Sequence, residues 1–96
     1  MNNIQDTLAE RGGRYGTFID NARVSQDLKA VMRNAPNWDS LAPDQKEALD
    51  MFASKISRAL TGDTTYRDNW HDLVGFAKLV DDRMAAEEPK VVKPKR

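Results

Sequence analysis

Pro43-Asp44-Gln45-Lys46-Glu47-Ala48-Leu49-Asp50-Met51-Phe52-Ala53-Ser54-Lys55-Ile56-Ser57-Arg58-Ala59-Leu60-Thr61-Gly62 is the stretch that decides the fold. Proline followed at once by Asp44, Gln45 and Glu47 is a helix start. Its fixed φ suits the first turn, and the acids meet the positive end of the helix dipole. Leu49, Phe52, Ala53, Ile56 and Leu60 then fall within about 100° on a helical wheel, forming one apolar stripe. Gly62 is expected to close the helix as a left-handed cap.

On the N-terminal side, Phe18, Ala22, Leu28, Val31 and Met32 recur at helical spacing and predict a helix over about 17–34. Asn34, Pro36 and Asn37 break it near Trp38. Ile4 and Leu8 allow one short helical turn before Arg11-Gly12-Gly13-Arg14-Tyr15-Gly16, where the glycines predict loop. On the C-terminal side, Thr64 or Thr65 caps a last helix, with Asp68 placed to complete a capping box from Thr65. That helix turns Tyr66, Trp70, Leu73, Ala77, Val80 and Met84 to the core and stops at Pro89. No stretch alternates with the period of a strand. The expected fold is all-α, a small helical bundle of three main helices (about 17–34, 43–60 and 65–86) plus a short N-terminal helix. One domain spans 1–86, with a flexible basic tail over 87–96.

Ninety-six residues carry 15 basic and 15 acidic side chains. The last ten hold four basic and two acidic ones, so the body before them is mildly acidic. That balance argues against a nucleic-acid-binding domain, where a basic face is expected; only the tail offers cations to phosphate. The mean hydropathy of -0.72 is polar for a lone globule, and self-association would help such a chain cover its apolar side chains. The chain has no cysteine, which suits a reducing cytoplasm. Met1 to Asp6 have neither a basic start nor an apolar core, so no signal peptide is expected. Apolar runs are far shorter than the roughly 20 residues that span a bilayer.

Asp68 and Asp72 lie one helical turn apart, with Gly75 on the same side. Like charges at that spacing repel, and a mid-helix glycine costs about 1 kcal/mol relative to alanine. Two readings stay open. Lys55 and Arg58 pair with the aspartates across a helix hairpin, and Gly75 admits a close neighbour. Alternatively the aspartates hold Mg²⁺, with Glu47 and Asp50 as a weaker second pair, and the basic residues hold phosphate. Arg11, Arg14 and Tyr15 add a further phosphate candidate, since glycine amides flanked by arginines can cradle an anion. His71 falls on the exposed side of its helix, and Trp38 and Trp70 read as core or interface anchors. The chain has no nucleophile triad, P-loop or zinc motif.

Arg11-Gly12-Gly13-Arg14-Tyr15-Gly16, Lys55-Ile56-Ser57-Arg58 and Asp68-Asn69-Trp70-His71-Asp72-Leu73-Val74-Gly75-Phe76 together resemble a group of small phage-encoded proteins of unknown function. The resemblance covers about residues 8 to 82. More distantly, the helix pair is similar to the MazG-type all-α nucleoside triphosphate pyrophosphohydrolases. Those carry E-E-x-x-E on one helix and E-x-x-D on the next, holding Mg²⁺ at a pyrophosphate. Here Asn69-Trp70-His71-Asp72 matches the second motif only at Asp72, and Glu47-Ala48-Leu49-Asp50 lacks one carboxylate of the first. The resemblance implies a phage accessory protein in the infected cell's cytoplasm, a homo-oligomer that binds a host protein or a nucleotide. The alternative it implies is a Mg²⁺-dependent enzyme of nucleotide metabolism.

Overall fold

The stripe-bearing segment forms helix α3, Pro43–Thr61, in a computed structural model that describes residues 3–88. Before it run α1, Ile4–Tyr15, and α2, Phe18–Arg33, then a short 3-10 turn at Trp38–Ser40; α4, Arg67–Glu87, follows it. The described residues are all-helical, with no strand. The basic tail lies, from Pro89 on, outside the described residues.

Local chemistry sets most of the boundaries. The Asn3 side chain accepts from the Asp6 amide at 2.9 Å to start α1, and the Thr17 hydroxyl accepts from the Asp20 amide at 3.2 Å to start α2. Ala42 has no acceptor to offer α3. Instead the Gln45 side chain reaches back to accept from the Ala42 amide at 2.8 Å, behind Pro43.

Three expected local features are corrected. Residues 11–15 are the end of α1, not a loop. The reason is tertiary: the Asp63 amide donates to the Arg14 carbonyl at 2.8 Å, and the Thr61 hydroxyl donates to that of Tyr15 at 2.9 Å. These bonds satisfy last-turn carbonyls and offset the glycine cost. Gly62 is not left-handed, having φ -122°; the described positive-φ residue is Gly16, at φ 78°. Nor does Thr65 cap α4 in a box with Asp68. Both its amide and its hydroxyl donate to Asp63, at 2.8 and 2.6 Å, and α4 starts one residue after Tyr66.

α3 is the middle helix. α2 packs along one flank and α4 along the other, and each meets α3 far more than it meets the other. The bundle is therefore open. Its radius of gyration is 17.1 Å, against about 12 Å for a compact chain of this length. The seams are made by small and polar residues. Ala48 and Ala53 are the buried apolar residues described, joined by Ser25, Lys55, Ser57 and Asn69. The Ser57 hydroxyl lies 2.6 Å from both the carbonyl and the side-chain oxygen of Asn21, one proton shared between two acceptors of α2.

The expected core is corrected accordingly. Leu49, Phe52, Leu28, Leu73 and Val80 are only half-buried. Phe18, Val31, Ile56, Leu60, Trp70, Ala77 and Met84 are exposed. Apart from Ala53, the α3 stripe is left half-buried or exposed, and among the described residues no further helix folds over it.

Candidate anion-binding site

The site begins with a backbone crossing. Where α1 ends, a Cβ on Gly16 would collide with the Thr61 carbonyl oxygen. Where α3 ends, a Cβ on Gly62 would collide with the Arg14 carbonyl oxygen and the Tyr15 backbone. The two helix ends meet where no side chain fits. The sequence reading placed the close approach at Gly75, but a Cβ there would meet nothing within 4 Å.

The crossing presents Tyr15 to α3 and to the start of α4. The Arg58 guanidinium lies 4.8 Å from the centre of its ring and that of Arg11 5.4 Å. Both distances suit a cation over an aromatic face. Tyr66 packs its ring against Tyr15 edge-to-face, centroids 5.9 Å apart, and takes Arg14 at 5.1 Å. The Tyr66 hydroxyl donates to Asp68 at 3.0 Å, and this bond to an anion raises the phenol's pKa.

The three arginines differ in charge balance. Arg14 is 2.9 Å from Glu10 and points to Tyr66, away from the cleft. Arg11 and Arg58 make no ion pair among the described residues. Both line a cleft of about 600 Å³ between α1, α2 and α3, together with Leu8, Tyr15, Phe18 and Asn21. This is the volume of a small-molecule site, with two cations at its wall that are in no direct ion pair among the described residues.

The expected residues are thus divided. Arg11, Tyr15 and Arg58 meet at the cleft. Lys55 does not; it is buried on the α4 flank, its Nζ 2.7 Å from Asp72 Oδ2. Donation by Lys55 is the main cause that holds the Asp72 carboxyl below its ordinary pKa, with smaller help from the charges of Lys55, His71 and Arg58. The hairpin pairing read from the sequence is therefore present for Lys55 and Asp72. It is not for Asp68, which pairs with Tyr66, nor for Arg58, which stacks on Tyr15. Asp50 turns to α2 and accepts from Arg33 at 3.3 Å, and Glu47 is exposed. Among the described residues no three of His, Asp and Glu gather closely enough to hold a metal ion.

Sequence reasoning missed Tyr66 and Phe18 as site residues, and the contact of Gly16 with Gly62. Both glycines stand next to a helix end in the sequence, but nothing there says that the ends touch. The chain matches no protein-family model, no characterised protein and no solved structure. Among the described residues no helix is long and apolar enough to cross a membrane.

Proposed function

We propose that this protein is a binding module for a small phosphate-bearing molecule of nucleotide size, held in the α1–α2–α3 cleft without turnover. The observation that carries the reading is that Arg11 and Arg58 converge on Tyr15 and neither is in an ion pair among the described residues. Guanidinium forks match phosphate oxygens in geometry and charge, and stay protonated at any physiological pH. Phe18, largely exposed beside them, offers a flat apolar surface for a base or similar ring. The resemblance to MazG-type proteins points to nucleotide phosphates, and the resemblance to the small phage-encoded group to a phage accessory role.

Binding is favoured over Mg²⁺-dependent hydrolysis by what the acids do. Asp72 is occupied by Lys55, Asp68 by Tyr66 and Asp50 by Arg33. The experiment is a thermal-shift series with inorganic phosphate, pyrophosphate and nucleoside triphosphates, with and without Mg²⁺, followed by assay for released pyrophosphate. A ligand at 100 times its Kd raises stability by about 2.7 kcal/mol, several degrees in a domain of this size. A shift without product supports the reading. No shift with any of these anions overturns it, as does turnover.

A further inference from the structure

We propose that the face of the bundle opposite the cleft is a homodimer interface, closed by a second copy of this chain. Val31, Ile56, Leu60, Trp70, Val74 and Met84 are all exposed, between 40% for Ile56 and 72% for Val31. Their positions share one side. A groove of about 350 Å³ between α3 and α4 sets Leu49 and Phe52 across from Ala77 and Met84. Steps of three and four residues carry that row along α3 to Ile56 and Leu60, and along α4 to Val74 and Trp70. On α2, Val31 is about half a turn round from Ala22, which lines the cleft, so it falls on the groove's side.

The occupant follows from area and from what the single chain lacks. The six side chains expose on the order of 600 Å² of mostly apolar surface, at the top of the range for a patch on a monomer and near the ~800 Å² per partner of a standard interface. The half-buried groove between α3 and α4 extends it. Within one copy, no large apolar side chain among the described residues is fully buried; the seams hold Ala48, Ala53 and polar groups instead. A fold with so little interior needs its cover whenever it forms. A second copy is always present in equal amount, and a two-fold axis lets the same patch serve both sides.

Sedimentation equilibrium and thermal melts of the purified full chain test this. The expected mass is twice the chain's 10.9 kDa, with a Tm that falls on dilution by about a hundredfold. Val74→Glu places a charge on the face at a side chain 65% exposed in one copy, and is expected to give monomers with a lowered Tm. Leu79→Glu is the control. Leu79 is as exposed, at 68%, but lies more than half a turn from Ala77, on another side of α4, and its variant is expected to remain dimeric. A monomeric wild type whose Tm is independent of concentration overturns the proposal and leaves the face to an unlike partner. Equal dissociation by Val74→Glu and Leu79→Glu also overturns it. Should Val74→Glu fail to fold, the wild-type mass and dilution series decide alone.

Discussion

Lys55 Nζ sits 2.7 Å from Asp72 Oδ2, across the seam between the middle helix and the last one. The lysine is almost wholly buried and the aspartate is 41% exposed, so the pair stands at the edge of the packed seam. A buried ammonium without its partner is strongly destabilising, whereas an apolar replacement of the pair is often neutral. Asp72→Asn is expected to lower the Tm by several degrees. Lys55→Met combined with Asp72→Leu is expected to recover much of that loss, a non-additive cycle read by urea or thermal melts. An unchanged Tm in Asp72→Asn is the result against it.

Acid should weaken the fold through two named carboxylates. Lys55 holds Asp72 below its ordinary pKa, and the Arg83 fork does the same for Asp44, with Nε at 2.9 Å and Nη2 at 2.7 Å. A depressed folded-state value means that the contribution is present above the ordinary carboxylate pKa of about 4 and is lost as pH falls below it. Stability is therefore expected to be flat from neutral pH to about 5 and to decline below about 4. In Asp44→Asn the remaining decline is smaller. Urea midpoints against pH measure it, and an identical slope in the variant contradicts the assignment.

The glycines separate by what their Cβ would meet. Gly62→Ala and Gly16→Ala drive a methyl into backbone, Gly16 also at positive φ, and each is expected to cost more than about 1 kcal/mol. Gly75→Ala meets open space inside a helix and is expected to stabilise by up to about 1 kcal/mol. Chemical denaturation of the three variants reads both signs. Destabilisation by Gly75→Ala would falsify the placement of α4.

At the cleft the two kinds of arginine should behave differently. Arg58→Gln removes a cation that is in no ion pair among the described residues, and the thermal shift produced by pyrophosphate is expected to vanish or fall severalfold. Arg14→Gln removes a cation already paired with Glu10 and turned to Tyr66, and is expected to keep most of the shift. The wild-type shift should shrink with added salt, as for any exposed phosphate contact. Equal loss in both variants would move the site away from the cleft.

Much of the architecture is written locally. Pro43 with its acidic first turn, the 3.6-residue recurrence of apolar side chains and the stops near Pro36 and Gly62 determine three helices to within about two residues. Caps and periodicity act over a few neighbours, so sequence suffices for them. Charge spacing also carried one true long-range contact, Lys55 with Asp72, because a short helix hairpin constrains its own pairing. What only the tertiary structure decided is which faces meet. The apolar stripe of α3 reads as a core, yet only its Ala53 is buried, and the helices pack through that residue with Ala48, Ser25 and Ser57, whose small size lets backbones approach. The glycines of α1 read as loop until Thr61 and Asp63 supply partners for its last carbonyls. Arg11 and Arg58 are 47 residues apart, and only the Gly16–Gly62 crossing brings them to one tyrosine. Periodicity marks the side of a helix that avoids water. It does not say whether the same chain or a second copy covers it.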